Sequence, residues 1–102
     1  MRLLTNELEK RFAEVGSQKN VKDPVIIAKF FLYDPGGDDF LYATEYDPKN
    51  KLFFGYVSLS GGWIEQWKHL SLVEMESFKN SLGIGFKRDL HFREQKISSI
   101  IR

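Results

Sequence analysis

Hydrophobic and polar positions follow two rhythms along the chain, and the change of rhythm marks its elements. In the first stretch Leu8, Phe12 and Val15 recur at i, i+4 and i+7, the single apolar stripe of an amphipathic helix. Thr5 stands where an N-cap is needed, and Glu7 and Glu9 fall in the first turn, where the helix dipole favours negative charge. Gly16 follows the last periodic position as a stop. The spacing predicts a helix over Asn6–Val15, with Leu4 packing back on its stripe and Glu7 and Arg11 spaced as an ion pair. Residues 17–23 (SQKNVKD) read as a polar connection.

Past Pro24 the period shortens to two. Four β-branched and aromatic runs follow, over 25–33, 40–46, 51–60 and 63–70. Asp34-Pro35-Gly36-Gly37, Asp47-Pro48-Lys49-Asn50 and Gly61-Gly62 separate them, each with the residues that tight turns demand. In the first run Ile26, Ala28, Phe30 and Leu32 share one face, and Val25, Ile27, Phe31 and Tyr33 the other. Both faces are apolar, so this strand is expected to be covered on both sides.

The turns imply a register. A Gly-Gly loop sets Ser60 opposite Trp63, hence Tyr56 opposite Trp67 and Phe54 opposite His69. A turn centred on Pro48-Lys49 sets Glu45 opposite Leu52 and Ala43 opposite Phe54. One face then carries Leu41, Ala43, Glu45, Leu52, Phe54, Tyr56, Trp63, Glu65, Trp67 and His69, mixing rings with charge as a half-exposed surface would. The other carries Phe40, Tyr42, Thr44, Phe53, Gly55, Val57, Leu59, Ile64 and Leu70, and reads as the core.

After the strands, Ser71-Leu72-Val73-Glu74 has the form of a capping box, and Leu72, Met75, Phe78 and Leu82 supply a stripe that Gly83 ends. Residues 84–91 read as irregular or a short strand, and 94–101 as a short last helix. The fold class expected is α+β: a four-stranded antiparallel meander sheet packed with an N-terminal helix and a short helical C-terminal half, one domain over 1–102.

Composition narrows the chemistry. With 102 residues the chain supports one hydrophobic core, and its net charge of +1 provides no field to steer it onto nucleic acid or an anionic membrane. The absence of cysteine removes disulfides, thiolate nucleophiles and cysteine-based metal sites. No leader-like segment and no apolar run long enough for a span is present, so a cytoplasmic location without membrane contact is expected. Aromatic residues make up 15% of the chain, more rings than one small interior readily holds, so some are expected at the surface.

Of the polar clusters, Arg88, Asp89 and His91 are the densest. A carboxylate that fixes the tautomer of a neighbouring imidazole can make a general base, yet the same residues also dock loops. His69, Glu65, Glu45 and His91 could be gathered as metal ligands, but none has ligand spacing, and no metal or cofactor is expected. No serine lies in a nucleophile-elbow pattern. Tyr56, Trp63 and Trp67 form the best contact candidates, as anchors for a protein partner or stacking platforms for single-stranded bases. Charge is uneven: Asp34, Asp38, Asp39, Glu45 and Asp47 cluster early, and Lys79, Lys87, Arg88, Arg93, Lys96 and Arg102 late.

LLTNELEKRF, YATEYD, FFGYV, SLVEM and LGIGFKRDLHF, in this order and over nearly the whole chain, resemble a family of small bacterial and phage proteins known as a domain of unknown function. The block Arg88 to Phe92 is the most specific piece. The resemblance implies a place in the life of a mobile element (plasmid, integrative element or phage), with countering host defence as one form of it, and it supplies no catalytic residues. The expectation is therefore a non-enzymatic accessory protein that binds a host or element-encoded protein through Tyr56, Trp63, Trp67, Arg88, Asp89 and His91. One alternative is a nucleic-acid-binding module using the sheet aromatics with Arg88, Arg93 and Lys96. Another is a small enzyme centred on Asp89 and His91. The acidic stretch 34–47 adds a further option, imitation of nucleic acid in a basic groove.

Overall fold

The computed structural model describes residues 2–101. Helix α1 spans Asn6–Val15, with the Thr5 hydroxyl accepting the Leu8 N–H at 3.1 Å and Gly16 closing the last turn onto the Phe12 carbonyl at 2.9 Å. The strands are β1 (Val25–Ile26), β2 (Ala28–Leu32), β3 (Asp39–Asp47), β4 (Leu52–Leu59), β5 (Ile64–Ser71), β6 (Lys87–Arg88) and β7 (Gln95–Lys96), with helix α2 (Leu72–Ser77) after β5. The main sheet has five antiparallel strands in the order β5-β4-β3-β2-β6, and β1 pairs with β7 in a separate two-stranded ribbon. The meander is as expected. Its fifth strand, β6, comes from the segment 84–91, and the C-terminal half holds little helix. α2 ends at Ser77, short of Leu82. In place of the helix over 94–101 the chain forms β7 and one 3-10 turn, Ile97–Ser99.

The expected first strand is divided at Ile27. Ile26 belongs to a cluster on one side of the sheet, while Ile27, Ala28 and Phe30 belong to the larger core on the other. The cause lies opposite, in β3. Its pairing with β4 shifts between Ala43 (opposite Gly55) and Glu45 (opposite Phe54), so Thr44 is the extra residue of a β-bulge. Such an insertion reverses the facing of every residue on one side of it. Leu41 and Ala43, expected on the half-exposed face, are fully buried in the main core, whereas Phe40 and Tyr42, expected in the core, lie on the opposite side. The bulge needs Gly55, because a Cβ there would strike the Tyr42 carbonyl and come within 2.9 Å of the Ala43 Cα.

The main core joins Leu3, Leu4 and Phe12 to Phe30, Leu41, Phe53 and Val57 of the sheet and Met75 of α2. Phe12 packs tilted on Phe53 at 5.8 Å and Phe30 on Phe53 at 5.0 Å, geometry in which ring edges meet ring faces. On the second side a smaller cluster of Ile26, Tyr42 and Ile97, flanked by Phe40, Tyr56, Phe92, Ile100 and Ile101, is roofed by the C-terminal segment. That roof reaches Tyr56. It leaves much of β5 bare, and every residue from Ile64 to His69 is exposed.

Candidate functional site

The β4–β5 hairpin carries the residues singled out in the sequence. Its register is the one the turn implied, with Tyr56 opposite Trp67 and Phe54 opposite His69. The loop is longer than a Gly-Gly turn. Ser60, Gly61 and Gly62 all take positive φ in a short 3-10 turn, and Trp63 follows it. This tip is braced from below: the Asp39 carboxylate accepts the Ser60 N–H at 2.8 Å, and the backbone of Gly61 packs so closely on Gly37 that a Cβ on Gly37 would lie 2.5 Å from the Gly61 Cα.

Four rings line the outer side of the hairpin in sequence of contact. His69 tilts on Phe54 at 4.8 Å, Phe54 stacks on Trp67 at 5.7 Å, and Trp67 meets the edge of Tyr56 at 5.5 Å. The Tyr56 hydroxyl donates to Glu65 at 2.9 Å, and burial followed by this carboxylate pushes the phenol above its ordinary value. Trp67 is 41% exposed and Trp63, at the hairpin tip, 90%. Beside the stack lies an open groove of about 300 Å³, lined by Gln18, Lys22, Pro24, Glu45, Phe54 and Trp67 among others. A buried π-face normally has a protein ring or aliphatic chain against it. Here one side of the stack meets solvent.

The Arg88 to Phe92 block is elsewhere, on β6 at the opposite edge of the sheet from β5. Arg88 donates to the Arg2 and Leu3 carbonyls at 3.0 and 2.8 Å and so holds the N-terminal segment against the sheet. Asp89 accepts the His91 backbone N–H at 2.9 Å and lies 3.9 Å from the Lys29 ammonium, which in turn sits over the Phe40 ring at 4.7 Å. His91 itself is exposed and Phe92 packs on the second cluster. Thus the six sequence-singled residues fall into two groups on opposite edges, Tyr56, Trp63 and Trp67 on one, Arg88, Asp89 and His91 on the other. Among the described residues, no three His, Asp or Glu side chains are gathered as metal ligands would be.

Other charged residues have local duties. Arg11, four residues from Glu7, forms its two-pronged pair with Glu94 at 2.8 and 2.9 Å, tying α1 to the C-terminal segment. Of the early acidic cluster, Asp34, Asp38 and Asp47 accept backbone N–H groups within their own turns, and Asp39 accepts that of Ser60 in the β4–β5 tip. Gln18, in the polar connection, has a structural role. It is 7% exposed, donates to the Val25 and Thr44 carbonyls at 2.9 and 2.8 Å, and accepts the Val25 N–H at 2.8 Å. Nothing in the period-two pattern marks it, because the carbonyl it satisfies is orphaned by a bulge that the pattern does not show.

Fold and site together define a small α+β protein with an uncovered aromatic face on one edge hairpin. The chain belongs to the family described as Protein of unknown function (DUF2958), whose model matches residues 3–101. No curated protein and no solved structure matches it. No helix among the described residues is long and apolar enough to cross a membrane.

Proposed function

We propose that the protein is a non-catalytic accessory protein of a mobile element and acts by holding another protein, host- or element-encoded, against the β4–β5 hairpin. The observation that carries this reading is the 90% exposed Trp63, set on a hairpin tip whose backbone is braced at Ser60 and Gly61, on the same hairpin as the half-open Phe54–Trp67 stack. Exposed tryptophan on a rigid support is the side chain that most often anchors a protein interface, since it covers much area and loses little rotamer freedom. Glu45 and Glu65 flank the rings, so the partner that fits offers an apolar cleft for Trp63 and a cation beside it.

The mobile-element setting, and defence proteins of the host as one class of partner, follow from the family resemblance alone. Nucleic acid is the second reading, and the charge distribution disfavours it. Single-strand binding needs cations tracking the stacked rings. Lys19 and Lys22 line the groove at one end of the stack together with Glu45, while Arg88 lies at the far edge of the sheet, four strand spacings or roughly 19 Å away, engaged with the chain's own carbonyls.

The test is affinity capture from host lysate with the native protein and with Trp63→Ala. Trp63 touches little of the fold, so the substitution is expected to leave unfolding free energy within about 0.5 kcal/mol of the parent. A partner recovered in stoichiometric amount by the parent and lost with Trp63→Ala supports the proposal. Equal recovery by both, or none by either, removes it. A rise in fluorescence anisotropy of labelled oligonucleotides at low salt, abolished by Trp67→Ala, would move the assignment to nucleic acid.

A further inference from the structure

The two edges of the main sheet are built differently. β6 closes one edge with only two residues, the short form by which sheets blunt an edge. β5 leaves the other edge eight residues long, paired with β4 over its whole length without a shift of register, and without proline or glycine. Which of its backbone groups are free follows from the ladder. Leu72 N–H donates to the Lys51 carbonyl at 3.0 Å, in the same register as the pairs Leu52–Ser71 to Leu59–Ile64. Alternation then turns the even-numbered residues of β5 toward β4 and points the N–H and C=O of Glu65, Trp67 and His69 away from the sheet.

We propose that this edge pairs with the β5 edge of a second copy of the chain, antiparallel about a two-fold axis through Trp67, giving one continuous ten-stranded sheet. The occupant is read from the strand itself. A two-fold axis perpendicular to the sheet keeps each residue on its face, so only registers in steps of one pair are allowed. With Trp67 on the axis, Glu65 meets His69 of the second copy, Gln66 meets Lys68, and Ile64 meets Leu70: carboxylate with imidazole, amide with ammonium, apolar with apolar. Ile64, 48% exposed in the single chain, gains an apolar partner. Moving the axis one step toward the C-terminus sets Lys68 on Lys68. One step the other way sets Ile64 on Lys68 and Glu65 on Trp67. Lysine on an edge strand ordinarily deters pairing, and here it penalises the wrong registers while leaving this one open.

Pairing at the edge leaves the outer ring face uncovered and sets two copies of it side by side, so the dimer is independent of the partner proposed above. The native chain is expected to sediment at twice 11.9 kDa in the upper part of a micromolar-to-millimolar concentration series. Glu65→Pro removes an outward-pointing N–H and, with the carboxylate, the exposed hydrogen bond from the Tyr56 hydroxyl. It is expected to fold, by circular dichroism, yet stay monomeric, whereas Glu65→Ala, which loses only the carboxylate bond, still dimerises. Register is read by oxidative cross-linking, which the cysteine-free chain makes clean. Gln66→Cys mixed with Lys68→Cys places the thiols on a narrow pair with Cα atoms about 4.5 Å apart, within disulfide reach. Either variant alone sets like thiols on the diagonal, roughly 7–8 Å apart and out of reach. Preferential cross-linking in the mixture supports the register. A monomeric mass throughout, equal cross-linking in all three samples, or protection of the Glu65, Trp67 and His69 amides only on adding a heterologous partner overturns it.

Discussion

Gln18 is the residue on which the second half of the sheet depends. The bulge at Thr44 leaves a carbonyl without a ladder partner, and β1 begins with an N–H and a carbonyl at Val25 that the main sheet does not reach. One side-chain amide meets all three. Orphaned buried polar groups each cost about 1–3 kcal/mol, so Gln18→Ala is expected to lower stability by about 3 kcal/mol in urea unfolding. Gln18→Glu keeps the volume and the acceptor but loses both donors. It is expected to be at least as damaging, and a loss well below that of Gln18→Ala would show that volume, not hydrogen bonding, matters at this position. Asp23 acts similarly at the surface, accepting the Ser98 hydroxyl at 2.6 Å and its N–H at 3.0 Å. The Ser98 side-chain bond, then its backbone bond, holds the Asp23 carboxyl below its ordinary 3.8. A carboxylate depressed in the folded state stabilises above its unfolded value and ceases to do so as pH falls through the folded one. The fall in urea midpoint of the native protein below pH 4 is therefore expected to be shallower in Asp23→Asn, with the two proteins converging at the acid end. A constant offset between them at every pH would remove Asp23 from the account.

At the scale of elements, what could be read from the chain was whatever a local signal determines. The bounds of α1 follow from Thr5, the Leu8–Phe12–Val15 stripe and Gly16, and the start of α2 from Ser71, whose hydroxyl accepts the Glu74 N–H at 3.2 Å. The β4–β5 register followed from one glycine-rich turn. The helix expected over 94–101 does not form because β7, two residues long, pairs with β1 some seventy positions earlier, a contact no local period encodes. The ring patch was legible as a surplus of aromatics, but its members were only partly so. Phe54 and His69 complete the stack, while Arg88 and Asp89 turned out to hold the N-terminal segment and Lys29. The bulge in β3 went unread because Ala43-Thr44-Glu45 has ordinary strand composition. Its mark was across the strand, in Gly55. Gly55→Ala is accordingly expected to cost about 3 kcal/mol or more, because the methyl meets backbone that cannot swing aside. A chevron analysis giving a change below 1 kcal/mol would mean that the bulge relaxes to accommodate a side chain.

The whole molecule is a single sheet with unequal covers. The main core buries Leu3, Leu4 and Ile27 with residues from α1, the strands β2, β3 and β4, and α2, whereas the second side rests on Ile26, Tyr42 and Ile97 and a fringe of half-buried neighbours. The C-terminal cover is attached by the β1–β7 ribbon, by Asp23 to Ser98, by Glu94 to Arg11 and by the Ile97 side chain. The charged ties are exposed and weak, so Ile97 supplies most of the hold, and Ile97→Ala should cost about 2–5 kcal/mol. Such a cover is expected to open before the sheet does. Native-state hydrogen exchange in sub-denaturing urea reads this directly. The Ile97, Ile100 and Ile101 amides, bonded to Pro24 and Ile97 carbonyls, should exchange through an opening with low free energy and small urea dependence. The buried Ile27 amide, bonded at 2.8 Å to the Ala43 carbonyl of the central strand β3, should exchange only on global unfolding. Opening would bare Tyr42 and Tyr56 beside the existing ring stack, extending the aromatic face toward the sheet centre. If all four amides instead merge on one isotherm, both covers belong to one cooperative unit, and the accessible ring surface is limited to the β4–β5 hairpin.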